Sequence, residues 1–355
     1  MSELVELRQA SPVAQRPPGE APPAYTEIDW QISTSTLARI ENAPANNTIV
    51  AYRRWLIRWR QWCEQTGRVP LPATPHTLAE WVSHLCDEKI GMSSLRTAVA
   101  AVRFLHATNG HEGQPAGKLA ALVRRSHARD LAGDGKRAKK ATPILGGTPQ
   151  TPGTLDALLN VCPPDTLRGR RDRLVIVLGW AGMMRRSELA ALAADDVTVV
   201  ADGIEVYIAF SKTDQEAKGA VVPIPSDLLG GIDPVQTWRD YVDMLAERGH
   251  IGGKLIRSID TGGRIGNSIS GHSINQLIRD AAVRANLPGA SGYTAHSLRA
   301  GGATSAYHAG MTVSAIAAHG RWAPNSPVVL GYIRAVDRWK DNPMRRRDGA
   351  QRGTS

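Results

Sequence analysis

The chain has 355 residues, 42% of them apolar, and 43 Lys+Arg against 33 Asp+Glu give it a net charge of +10. That length exceeds one ordinary core and predicts two domains, and the basic excess predicts a polyanionic partner, nucleic acid by default. No stretch approaches the ~18 apolar residues of a membrane span. The three cysteines, Cys63, Cys86 and Cys162, are far apart and lack metal-ligand spacing, so they read as buried thiols in a reducing compartment. The charged N-terminus has no apolar signal segment, and a cytoplasmic location is expected.

Residues 1–26 carry five prolines and little apolar content and read as a disordered tail. Helical periodicity then sets in. A helix is predicted from Ile49 to about Thr66, capped by Asn47 or Thr48, with Trp55, Trp59 and Trp62 at i, i+4, i+7 as its apolar stripe. Arg53, Arg54, Arg58 and Arg60 line its other faces. Further helices are predicted over 77–88, from Ser93 to a stop at Asn109-Gly110, and over 117–130. Residues 27–130 therefore form an all-helical domain of four or five helices.

Residues 131–152 mix glycine, proline and basic residues without periodicity and read as a linker. Seven basic residues, among them Arg124, Arg125, Lys136, Arg137, Lys139 and Lys140, fall between 124 and 140. Such a run is ordinarily a solvated surface. Between two basic domains it suits phosphate contact, as do Arg96 and Arg103 on the third helix.

The second domain, 153–340, opens with a helix over 154–161 and the apolar run RLVIVLGWAGMM. Val197–Val200 and Ile204–Phe210 flank Ala201-Asp202-Gly203 as a hairpin. Ala220–Ile224 is a third strand after the loop 212–219. Helices return at 234–247, 272–285, 296–309, 312–318 and 325–335, and 341–355 is a basic tail. The fold class is mainly α, with one small antiparallel sheet.

Seven scattered positions in this half carry chemistry, each unremarkable by itself. Arg185 ends a buried helix, and Glu188, three residues on, shares its face and can hold the guanidinium. His296 and Arg299 project from one face of a helix start with Thr294 as its N-cap, a setting that favours an anion. Lys212 sits in a hairpin loop, where it is either a solvated turn residue or a proton donor. Tyr332 is a packed helical tyrosine or a nucleophile, and its phenol, with a pKa near 10, needs help to ionise. Trp322 is a core residue or an indole N–H donor to a phosphate oxygen.

Together, Arg185 in GMMRRSELAAL, Lys212 in FSKT, His296 and Arg299 in AHSLRAGGA, and Tyr332 in LGYIRAVD resemble the tyrosine recombinases, or phage integrase family, over about residues 30–340. Trp322 stands where the Cre group has tryptophan and many relatives have histidine. The interval from Trp322 to Tyr332 is one residue longer than in that group, and His319, just upstream, is the alternative phosphate donor. The resemblance implies two domains in a C-shaped clamp around double-stranded DNA and a homotetramer on two paired target sites. Tyr332 would attack the scissile phosphate. Arg185, Arg299 and Trp322 would hold its oxygens, with Glu188 in support. His296 would manage the phenol's proton, and Lys212 would protonate the leaving 5′ oxygen. No ATP, metal or other cofactor is implied, in keeping with a sequence that has no Walker motif and no acidic cluster suited to Mg²⁺. A type IB topoisomerase-like strand transferase and a decayed DNA-binding protein are the alternatives.

Overall fold

A computed structural model describes residues 31–43, 46–134, 141–147, 153–209, 219–323 and 326–336. The predicted tails, Lys136, Arg137, Lys139, Lys140 and Lys212 lie outside these. The chain divides into two compact units, Met1–Ala138 and Lys139–Ser355.

The described part of the first unit is all helical: α1 (Thr34–Asn42), α2 (Asn46–Gln65), α3 (Pro75–Asp87), α4 (Met92–Thr108) and α5 (Lys118–Gly133). Two of these helices, α3 and α4, match the predicted ones to within two residues at either end. α2 and α5 each run three residues further at one end, and α1, polar and short, escaped the periodicity. The tryptophan stripe of α2 does face the core. Trp59 is 1% exposed, with Trp81 of α3 edge-on to it at 5.0 Å. Its indole N–H donates to the Pro70 carbonyl (3.1 Å), so the buried polar tip is satisfied. α2 packs on α4, and α3 on α5. Thr74 caps α3 by accepting from the Thr77 N–H (3.1 Å), with Pro75 at the first helical position.

The second unit is built on α7 (Leu167–Ala181), preceded by α6 (Thr154–Asn160). α7 is apolar on every face from Leu174 to Leu178 and is accordingly buried all round. A short α8 (Arg186–Ala191) leads to the sheet β1 (Val197–Val200), β2 (Gly203–Ile208), β3 (Ala220–Pro225), antiparallel in that order. Gly203 turns the hairpin at φ 153°, where an added Cβ would meet the Ile224 carbonyl oxygen. Then come α9 (Pro234–Ala246), α10 (Gly271–Arg284), α11 (Ala295–His308), α12 (Val313–His319) and α13 (Pro327–Val336). α9 and α11 both pack on α7.

The predicted linker, 131–152, contains the division between the two units, and parts of it are built into them: residues 131–133 complete α5, and Ile144 joins the second unit's core. Ile144 is fully buried there; its N–H donates to the Ser297 carbonyl (3.0 Å) and its own carbonyl accepts from the Trp180 indole (2.9 Å). Gly301 on α11 leaves room for this segment: a Cβ at 301 would lie 1.8 Å from the Ile144 oxygen. One apolar residue among prolines and glycines gives no period, which is why composition concealed it.

Candidate active site

Four segments of the second unit meet at one place: the turn after α7, the start of α8, the first two turns of α11, and the stretch from the end of α12 into α13. The turn after α7 holds Met183 at φ 46°, left-handed. Its Arg185 N–H donates to Glu188 Oε2 (2.9 Å) and its guanidinium to Glu188 Oε1 (2.5 Å), so the i, i+3 carboxylate both caps α8 and orients the arginine. Glu188 is buried. Desolvation works to raise its pKa, yet the guanidinia of Arg321 and Arg185 and the Arg185 N–H outweigh it and hold the carboxyl below its usual value.

Arg299 is 2% exposed. Its two terminal nitrogens donate to the carbonyls of Met183 and Gly320, which ties α11 to both neighbouring turns. Burial, then the charge of Arg185, push its pKa down to about 9, which leaves it cationic at neutral pH. The Trp322 ring covers the guanidinium at 3.9 Å. The indole thus meets the cluster with its face, as a cation–π cover, where the sequence suggested an N–H aimed at phosphate.

Tyr332 Oη lies 2.6 Å from His296 Nε2, and the phenol ring is edge-on to both His296 and Trp322. A small apolar cluster of Met183, Ala303, Ile316, Ala317 and Val329 seats Trp322 and Tyr332 from beneath. Burial raises the Tyr332 pKa, opposed by the charges of Arg299 and Arg185. Burial lowers that of His296, with Arg299 and Arg185 adding to the effect. A neutral imidazole therefore faces a protonated phenol.

The structure brings together Arg185, Glu188, His296, Arg299, Trp322 and Tyr332. His319 is turned elsewhere: its Nε2–H donates to the Ala181 carbonyl (2.7 Å). One member was missed. Arg321 donates to Glu188 Oε2 (2.8 Å) from a side chain only 9% exposed. Its place in a short loop between two helices offers no periodicity or motif. Among the described residues no three His, Cys, Asp or Glu side chains are grouped as a metal would require, and no helix is long and apolar enough to cross a membrane.

On the first unit, Arg54, Arg60, Arg96, Arg103 and Arg125 are exposed. Arg53, Arg58 and Arg124 are half-buried, and Arg58 is paired with Glu88 and lies over the Trp55 ring (5.1 Å). A guanidinium so engaged is a poorer candidate for phosphate than its exposed neighbours.

Residues 36–113 match the family described as phage integrase, N-terminal SAM-like domain. An integrase/recombinase xerD homolog of Selenomonas ruminantium is 28% identical over 324 residues, covering 91% of this chain and 92% of the relative. Among solved structures, XerH site-specific recombinase bound to a palindromic difH substrate aligns with a TM-score of 0.56 and 15% identity, over 88% of this chain and 84% of that one. A lambda integrase dimer bound to a COC′ core site aligns with a TM-score of 0.53 and 17% identity, over 89% and 98%. At such identities the structures speak to fold, and the fold is that of these two-domain proteins. With the relative matched along nearly its whole length and the integrase domain matched in the first unit, the chain is similar to the tyrosine recombinases, or phage integrases, in sequence and in fold.

Proposed function

We propose that the protein is a site-specific DNA recombinase that cuts and rejoins strands through a 3′-phosphotyrosyl intermediate, acting as a tetramer on two paired sites. The observation that carries this reading is the phenol of Tyr332 held 2.6 Å from an uncharged imidazole beside the Arg185–Arg299 pair. In the forward step the Tyr332 proton passes to His296 Nε2 and the phenolate oxygen bonds to phosphorus. The bond from phosphorus to the 5′ oxygen breaks, and Lys212 supplies that oxygen's proton. One phosphodiester replaces another, so rejoining is the same step reversed and needs no external energy. Arg185 and Arg299 stabilise the charge that builds on the non-bridging oxygens, the role that preorganised cations play in phosphoryl transfer. The presence of tryptophan at 322, where many relatives have histidine, supports a Cre-type arrangement. The exposed arginines of the first unit are proposed to contact the DNA backbone, which fixes register rather than sequence.

A duplex nicked next to the scissile phosphate tests the chemistry, because loss of the short downstream fragment prevents rejoining. The wild-type chain is expected to accumulate a protein–DNA adduct that survives denaturing gels, with or without EDTA. No adduct on any cross-link-mapped target site would reject the reading, and an adduct abolished by EDTA would reject its metal-free form. Recombination of paired sites, with supercoil relaxation as the control, separates it from a topoisomerase.

The pH dependence follows from His296. Its pKa lies below 6.5, so the imidazole is neutral and able to accept a proton at pH 7. Single-turnover cleavage is expected to hold level through neutrality and to fall as pH drops through that lowered value. A limb centred above pH 7 would contradict His296 as the acceptor.

A further inference from the structure

The turn that ends α12 has an unusual occupant. The Arg321 N–H bonds the Ala318 carbonyl (3.0 Å) and the Trp322 N–H bonds the Ala317 carbonyl (2.9 Å), the paired bonds of a Schellman motif. The residue at its apex must be left-handed, where glycine is favoured because a Cβ is crowded. Here that residue is Arg321, at φ 56°, while Gly320 beside it sits at an ordinary φ of −79°. A long charged side chain is thus kept at a strained position and then buried. Strain retained against an easy relief is a mark of function.

The guanidinium is spent on three segments. Nη2 donates to Glu188 Oε2 at 2.8 Å; Nη1 reaches the carbonyls of His319 (3.1 Å) and Gly182 (3.2 Å). Glu188 gives its other oxygen to Arg185, so one buried carboxylate lies between two guanidinia. The Gly182–Met183 turn is gripped by Arg321 through Gly182 and by Arg299 through Met183. Arg321 also begins the segment whose next residue, Trp322, covers Arg299.

We propose that Arg321 is a positioning residue of this site: it locks Glu188 and the turn after α7 so that Arg185 and Arg299 are held at the spacing a phosphate requires. The inference rests on the strand-transfer reading above. Arg321 acts through other side chains, so its loss slows the chemical step and leaves DNA affinity in place. A misplacement of about 1 Å in such a site costs on the order of 10²-fold in rate.

The test is single-turnover cleavage of the nicked duplex by the full chain, with rate and half-saturating DNA concentration measured separately. Arg321→Gly removes the guanidinium and relieves the backbone at once. It is expected to cleave about 10²-fold more slowly at saturating DNA, with half-saturation moved by less than about threefold. Added guanidinium ion, below denaturing concentrations, should restore part of that rate and leave wild type unaffected. Glu188→Gln should add little on top of Arg321→Gly, since the two act as one unit. Arg321→Lys, which keeps the charge without the planar fork, should fall roughly tenfold below wild type, and it decides the matter if the glycine variant does not fold. Wild-type rates in Arg321→Gly or in Arg321→Lys, or a loss expressed only as weaker DNA binding, would overturn the inference alone. A wild-type chain that forms no Tyr332 adduct would overturn the functional reading and this inference with it.

Discussion

Tyr332→Phe is expected to eliminate the covalent adduct entirely while DNA binding persists. The substitution removes one oxygen, the atom that would bond to phosphorus. It leaves the ring edge-on to His296 and Trp322 and the apolar seat on Met183, Ala303, Ile316, Ala317 and Val329 intact. Folding should therefore be almost unchanged: the lost hydrogen bond to His296 is worth about 0.5–1.5 kcal/mol. The clean separation of an absent adduct from a preserved fold is what makes the variant informative. Denaturing gels on the nicked substrate read the adduct, a gel shift reads binding, and thermal melting reads the fold. An adduct formed at the wild-type level would move the nucleophile elsewhere, and peptide mapping of the linked fragment would find it.

Arg299→Ala should damage both chemistry and stability. Removing one preorganised donor to a developing oxyanion costs about 10²–10³ in rate. The same truncation leaves the Met183 and Gly320 carbonyls without their buried donor, at about 1–3 kcal/mol for each group so stranded. It also uncovers one face of Trp322. The unfolding free energy measured by denaturant titration should fall by several kcal/mol, at the upper end of the usual mutational range. Arg299→Lys retains a cation but cannot span both carbonyls with a single ammonium, so it should recover little of either loss. A cleavage rate within tenfold of wild type in the alanine variant would show that this guanidinium is architectural only.

The helices were legible because their apolar positions repeat with the helical period and their ends carry strong signals. Thr74-Pro75 opens α3, Asn109 and Gly110 close α4, and the Ala201-Asp202-Gly203 turn joins β1 to β2. The ion pair of Arg185 and Glu188 follows from their spacing alone. Contacts across the chain were beyond reach in detail. Trp322 could be singled out, yet whether its edge or its face would meet the cations depends on where α12 leaves the indole. Arg321 was invisible because its importance arises from a backbone conformation that its residue type seldom adopts. Ile144 was hidden because a single buried residue in an irregular segment has no pattern around it. Lys212 falls outside the described residues, so its part in the site stays a proposal.

The segment 141–147 has a practical meaning for dissecting the molecule. It fills the trench that Gly301 leaves open along the helix bearing His296 and Arg299. A fragment begun at Gly153 would lose that filling and leave the Ser297 carbonyl and the Trp180 indole without their partners. The stretch entering the second unit is thus a wedge under the helix that bears His296 and Arg299, and excision of that unit has to begin ahead of Ala141.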